Sequence, residues 1–307
     1  MNALHDRVED YLVIRRALGF KLRGHERLLN DFVDHLERAE TSTITIDLAV
    51  EWAVTWPGVQ PHRWKQRLSA ARGFARYLQG LDPTVQVPPA DLLPYRHHRR
   101  TPFLYTDSEI AAVLAEAGTL VPLLRAVTFQ TLIALVAATG MRIGEAIRLD
   151  RDDVDLRTGI LLIRDTKFNK SRQLPLHPTT IAALQNYADQ RDRLSRSPKT
   201  LSFFVSTVGT RLIDTIVHSV FVTVIGRVGL APRAGSGRPR VHDLRHTFAV
   251  STLRDWYRAD LDVASKLPLL SAYLGHVGPA STYWYLQTDP ELMGLAAARL
   301  GRTEILR

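Results

Sequence analysis

The chain of 307 residues contains no cysteine. Disulfides, thiolate zinc sites and a cysteine nucleophile are therefore excluded, and the composition suits a reducing compartment. Long apolar runs are missing as well. The most apolar stretch, Val121 to Met141, is interrupted by Arg125 and Gln130 and reads as a buried helix rather than a membrane span. The N-terminal MNALHDRVEDYLVIRR carries charge where a signal peptide needs an apolar segment, so a cytoplasmic protein with no membrane partner is expected. Acidic residues are in deficit: 31 Asp plus Glu stand against 40 Lys plus Arg, giving +9 at pH 7 and an isoelectric point near 10.0. Such a balance favours a polyanionic partner through counterion release, with nucleic acid the leading candidate; the alternative is a cationic protein that is merely soluble. No internal repeat or low-complexity tract is present. A hydrophobic fraction of 45% in a chain this long is enough for two domains with cores of their own.

Helical spacing dominates the first hundred residues. Helices are expected over about Ala3–Leu18, Gly24–Glu40, from Asp47 to the Trp56-Pro57 stop, and over about His62–Leu78. The last puts Trp64, Leu68, Ala71, Ala75 and Leu78 on one stripe and Arg63, Lys65, Arg67, Arg72 and Arg76 on the other faces. That basic surface is either an ordinary solvated face or one that enters a DNA groove. Pro88-Pro89, Pro94, the run Arg96-His97-His98-Arg99-Arg100 and Pro102 mark a linker and a domain boundary. Thr106 and Glu109 then form a capping box that opens the next helix. The expected segments are 1–95 (helical), 96–105 (basic linker), 106–288 (a second, larger domain) and 289–307 (tail helix). Within the third, Ile160–Ile163 and Gln173–Leu176 flank a polar tip and read as a hairpin, with Leu201–Val205 a possible third strand. Further helices are expected at about Asp214–Val228, His242–Trp256, Ala264–Tyr273 and Pro279–Leu286. The Gly- and Arg-rich APRAGSGRPR, with Arg238 and Arg240, either touches DNA backbone or is a flexible loop.

Several polar side chains stand out as candidates for chemistry: Arg142, Lys167, His242, Arg245, His276 and Tyr285. Two guanidinium groups, an ammonium, two imidazoles and a phenol suit attack on a phosphodiester, where fixed cations must meet charge building on the non-bridging oxygens. Arg142 follows the end of an apolar helix, and its planar fork can grip two phosphate oxygens; the competing reading is a surface salt bridge to Glu145. His242 and Arg245 lie one helical turn apart and share a face. His246 is also one turn from His242, but the HExxH zinc pattern needs Glu where Asp243 stands, and no third ligand presents itself nearby. A core histidine is the better reading of His246. Lys167 could protonate a leaving 5′ oxygen, with Lys170 the competitor. Tyr283 and Tyr285 point roughly 200° apart on a helix, so only one of them can serve a single site.

Four separated runs, ATGMRIGEAIRL, TKFNKSRQLPL, HDLRHTFAVSTL and LGHVGPASTYWYL, resemble the tyrosine recombinase (phage-integrase-like) family over roughly Leu104 to Leu286. The resemblance implies a mainly α fold with a small β-sheet, built from a helical, SAM-like core-binding domain and a mixed α/β catalytic domain. It assigns Arg142, Lys167, His242, Arg245, His276 and Tyr285 as catalytic, prefers Lys167 over Lys170, and makes Tyr285 the nucleophile of a 3′-phosphotyrosyl intermediate with no metal or nucleotide cofactor. Double-stranded DNA is the implied partner, with Arg63, Lys65, Arg67, Arg72, Arg76, Arg99, Arg100, Lys170, Arg238 and Arg240 as contact candidates. A homotetramer in the DNA synapse, monomeric or weakly associated when free, is implied, as is a tail helix docking on a neighbouring protomer, the alternative being a tail that folds back on its own domain. The resemblance also implies a mobile genetic element and a cytoplasmic, nucleoid-associated location in a prokaryote. The alternatives are a type IB topoisomerase-like relaxing enzyme and a non-catalytic DNA-binding protein. The DNA target, and the choice between integration, excision and dimer resolution, are not legible.

Overall fold

A computed structural model describes residues 3–22, 24–55, 61–93, 101–164, 171–195, 199–233, 235–276, 278, 280–286 and 289–304. The chain forms two compact units, Met1–Arg99 and Arg100–Arg307.

Among the described residues the first unit holds four helices, α1 (Ala3–Ala17), α2 (His25–Arg38), α3 (Ile46–Val54) and α4 (Pro61–Gln79). On α2 the buried side chains Leu29, Phe32, Val33 and Leu36 recur at helical spacing and form one wall of the core. Thr45 starts α3 by accepting the Leu48 N–H at 3.3 Å. On α4 the stripe Leu68, Ala71, Ala75 and Leu78 is buried as its spacing requires, joined by Phe74, while Trp64 is half-buried.

Arg67 departs from expectation. It is only 5% exposed, donates to Asp31 at 3.1 Å and to the Trp52 carbonyl at 2.9 Å, and stacks 4.0 Å from the Trp52 ring. Position 67 adjoins the apolar stripe, and a guanidinium there finds a carboxylate, a carbonyl and an aromatic face, so it is removed from the DNA candidates. Arg63 and Arg76 are exposed, Lys65 and Arg72 half-buried.

In the second unit α5 (Asp107–Ala117) opens with the expected capping box, Thr106 and Glu109 each accepting the other's backbone N–H. After it come α6 (Leu123–Thr139), α7 (Ile143–Arg148), β1 (Val154–Asp155), β2 (Ile160–Ile163), β3 (Arg172–Pro175) and α8 (Pro178–Leu194). The unit continues with α9 (Asp214–Val228), α10 (Val241–Arg258), α11 (Val263–Leu274), α12 (Ala280–Leu286) and α13 (Pro290–Glu304). The sheet is antiparallel in the order β1-β2-β3, with Leu161 opposite Leu174 and Ile163 opposite Arg172. Its third strand is β1, not Leu201–Val205. That segment makes isolated bridges at Ser202 and Val205, and its Phe203 and Phe204 are buried beside Tyr187 of α8. The apolar run thus serves core packing rather than the ladder. Helix α8 escapes the sequence reading because its buried positions, Leu184, Tyr187, Ala188 and Arg191, are few among polar residues.

The tail helix α13 packs on α10 of its own chain. Leu292 is fully buried beside Leu253, Leu270 and Tyr285, and Asp289 accepts the Leu292 N–H at 3.1 Å and pairs with Arg254 at 2.7 Å. In the single chain the tail helix folds back on its own domain: α10 offers an apolar seat for Leu292, and its Arg254 pairs with the Asp289 carboxylate that caps the helix N-terminus. Among the described residues no helix is long and apolar enough to cross a membrane.

Arg67→Ala should lower the stability of the full chain by about 2 kcal/mol in denaturant unfolding, since it strips buried hydrogen bonds and stem packing. Arg63→Ala and Arg76→Ala should stay within about 0.5 kcal/mol of the parent. Equal effects at all three positions would contradict the burial of Arg67.

Candidate active site

Helix α6 ends at Gly140, whose φ of +60° suits a left-handed cap; a Cβ there would stand 2.5 Å from the Phe248 ring of α10. The turn therefore lies tight against α10 and delivers Arg142 to the N-terminus of α7. The ion pair between Arg142 and Glu145 is present in the structure. Arg142 pairs with Glu145, giving Nη1 to Oε1 at 2.8 Å and its backbone N–H to Oε2 at 3.0 Å, and its Nη2 also reaches the Gly275 carbonyl at 3.0 Å. Glu145 is buried and receives a second guanidinium, Arg172 of β3, at 3.2 and 2.8 Å. Burial alone would raise the Glu145 pKa, but the hydrogen bonds and charge of Arg172, and then those of Arg142, hold it at about 2.

Arg245 lies on α10 and is buried. Its Nη1 donates to the Gly140 carbonyl and its Nη2 to the Leu274 carbonyl, both at 2.8 Å, and the Tyr285 phenol lies within its electrostatic reach. Burial lowers its pKa to about 10, partly offset by Tyr285, so it stays cationic at neutral pH. Arg142 and Arg245 thus hang from consecutive carbonyls, those of Gly275 and Leu274, at the end of α11.

His276 follows that turn and shares a 2.8 Å hydrogen bond between Nδ1 and the Thr282 hydroxyl. Burial, then the charges of Arg245 and Arg142, lower its pKa to about 4, leaving a neutral imidazole. Tyr285, on α12, stacks on His276 at 5.9 Å between ring centroids and is 2% exposed, whereas Tyr283 is 50% exposed. The phenol turned toward the arginines is that of Tyr285.

His242 keeps an exposed edge, while the part of its ring enclosed by protein, and the charge of Arg245, lower its pKa. His246, expected as a core histidine, is half-buried: its ring meets His242 at 4.8 Å, Trp284 at 5.2 Å and Tyr285 at 5.5 Å. Burial, then His242, take its pKa down to about 3. Among the described residues no third ligand joins this pair; the one group spaced for a metal, His5, Asp34 and Glu37, lies in the first unit.

Arg142, His242, Arg245, His276 and Tyr285 are thus gathered into one site, while Lys167 and its competitor Lys170 lie outside the described residues, as do Arg99 and Arg100. Arg238 is exposed, and Arg240 is exposed but holds Asp243 at 2.9 Å. In the Gly- and Arg-rich segment Arg233 is structural: it donates to the Leu104 carbonyl at 2.9 Å, pairs with Glu109 and sits 4.5 Å from the Phe103 ring.

The model of the phage integrase family matches residues 106–291, which include every residue of this site. The chain belongs to the phage integrase family. It is 41% identical to the integrase/recombinase y4rB of Sinorhizobium fredii over 98% of both chains. Among solved structures, it resembles the XerH site-specific recombinase bound to its palindromic difH substrate after cleavage (TM-score 0.68, 20% identity, covering 89% of this chain and 78% of that one). It also resembles a lambda integrase tetramer on a Holliday junction (TM-score 0.63, 16% identity, covering 94% and 78%). The protein is a tyrosine-type site-specific DNA recombinase.

Two contributors to the recombinase site carried little signal in the sequence. Arg172 stands within TKFNKSRQLPL, but strand spacing does not say that its side chain crosses to Glu145. Thr282 belongs to a run dominated by aromatics.

Glu145→Gln should destabilise the recombinase by about 3 kcal/mol, because it leaves buried guanidinium charge without its anion. The folded pKa of about 2 lies below the ordinary 4.5. The contribution of Glu145 is therefore complete above about pH 4.5 and is lost as pH falls toward 2. Thermal melting should show a steeper acid loss in the parent than in Glu145→Gln; parallel profiles would contradict the assignment.

Proposed function

We propose that the recombinase cuts and rejoins DNA through a 3′-phosphotyrosyl intermediate on Tyr285, with no metal or nucleotide cofactor. The observation that carries this reading is the Tyr285 phenol buried against His276 and beside Arg245, with a second arginine hung from the adjoining carbonyl. The Tyr285 oxygen attacks the scissile phosphorus, the P–O5′ bond breaks, and the departing 5′ oxygen takes a proton from Lys167. The free 5′ hydroxyl of a partner strand then attacks the phosphotyrosine and restores the tyrosine. Phosphoester bonds are exchanged one for one, so no energy-rich nucleotide is consumed.

Arg142 and Arg245 brace the non-bridging oxygens. Each guanidinium has five N–H donors, more than its carbonyl and carboxylate contacts use. His242 helps take the phenolic proton, since a tyrosine with an ordinary pKa near 10 is a weak nucleophile at neutral pH. His276, kept neutral, donates a hydrogen bond to a non-bridging oxygen. Residues 1–95 act as the core-binding domain, 96–105 as the linker, 106–288 as the catalytic domain and 289–307 as the tail. Arg63, Lys65, Arg72, Arg76, Arg238 and Arg240, with Arg99, Arg100 and Lys170 beyond the described residues, are the candidates for contacting double-stranded DNA. A homotetramer on synapsed DNA, monomeric or weakly associated when free, and a cytoplasmic, nucleoid-associated location complete the reading.

On a nicked duplex that traps the intermediate, Tyr285→Phe should bind DNA and form no covalent adduct, while Tyr283→Phe should form it. The reverse pattern would overturn the assignment. Arg142→Ala and Arg245→Ala should each slow adduct formation by roughly 10²-fold or more, the scale for losing a charge-stabilising donor. Adduct formation should survive excess EDTA; a divalent requirement in the chemical step would sink the metal-free mechanism.

A further inference from the structure

Arg172 touches none of the groups assigned to the phosphate, yet it meets three parts of the site at once. Its side chain is 13% exposed. Two of its nitrogens grip the two oxygens of Glu145, and its Nε donates to the Tyr273 carbonyl at 3.0 Å, near the end of α11. Glu145 holds Arg142, and Arg142 reaches the Gly275 carbonyl. These bonds close a circuit from β3 through α7 to the turn that precedes His276. Gly275 shows how tightly it is closed. A Cβ there would stand 2.5 Å from Arg172 Nη1 and 2.8 Å from its Cζ, so the guanidinium occupies the space a side chain would need.

We propose that Arg172 is a positioning residue for strand cleavage: its planar fork locks the Glu145 carboxylate to the Tyr273–Gly275 turn and thereby fixes Arg142 relative to Tyr285. This rests on the reading of Arg142 as a phosphate-bracing group. Lysine cannot substitute, because a single ammonium on a flexible stem does not reproduce a rigid fork aimed at two carboxylate oxygens and a carbonyl. The charged or titratable groups acting on Glu145 are Arg142 on α7, Arg172 on β3, Arg245 on α10 and His276 after α11. Arg172 is the largest of the influences that lower its pKa against burial. Without it, Glu145 should protonate at higher pH and release Arg142, so the acid limb of cleavage should move upward.

Arg172→Lys and Arg172→Gln, made in the full chain, should bind a selected DNA duplex within about threefold of the parent while forming covalent adduct roughly 10- to 100-fold more slowly, the scale for misplacing a catalytic group by about an ångström. The acid limb of the rate should rise by about one pH unit. In an Arg142→Ala background Arg172→Lys should add less than about threefold, since both changes act through one group. Parental adduct rates in both variants, or fully multiplicative effects with Arg142→Ala, would overturn the proposal. If Arg172→Gln fails to fold, Arg172→Lys and the double variant decide. A parent that forms no adduct at all would overturn the phosphotyrosyl reading instead. The lock itself would then be judged by melting: the loss of melting temperature between about pH 4.5 and 2 should shrink in Arg172→Lys, and an unchanged loss would refute it.

Discussion

A carboxylate shared by two guanidinium groups, in a place where water cannot reach it, is the constraint on which the rest of the site depends. Glu145 would be costly to bury alone, and Arg142 and Arg172 would be costly to bring together without it. Held as a triad, they tie the start of α7 to β3 and to the last carbonyls of α11. Between the carbonyls of Tyr273 and Gly275 that take up Arg172 and Arg142, the Leu274 carbonyl orients Arg245. Two cations that would repel each other in free solution are thus kept side by side by acceptors made of backbone and one buried anion.

This arrangement bears on the proposed chemistry. Donors fixed before a substrate arrives need no reorganisation as charge develops on a transferring phosphate, and a dry setting strengthens each contact. Burial, reinforced by the neighbouring charges, holds His276 and His246 well below their ordinary pKa. A neutral ring can accept or donate a proton, as the proposed roles of His242 and His276 require. Tyr285 enters this cluster on a helix that also carries Tyr283 to solvent, so two positions along the helix separate a buried phenol from an exposed one.

The tail belongs to the same economy of packing. Leu292 shares a core with Tyr285, and Asp289 is pinned by Arg254, so the segment after the proposed nucleophile is held by α10, the helix that bears His242 and Arg245. The apolar face of α13 was plain from its spacing, but the spacing carries no information about whose groove receives it.

Much of this was legible in the residues alone. Periodicity located most helices, Thr106 and Glu109 announced the start of α5, the hairpin flanks fell where β2 and β3 lie, and four motifs marked the residues that the fold gathers. These are local properties: capping, alternation and helical spacing act over a few residues, and a motif preserves the order of its side chains whatever surrounds them. What escaped was settled by contacts distant in sequence. Arg67 looked like one more surface cation until Asp31 and Trp52 closed over it, and Leu201–Val205 looked like a strand until its phenylalanines joined Tyr187. Arg172 became part of the site only because its fork spans to Glu145 and Tyr273. Burial of a charge depends on partners brought in by the fold, and only the tertiary structure determines which charges are covered.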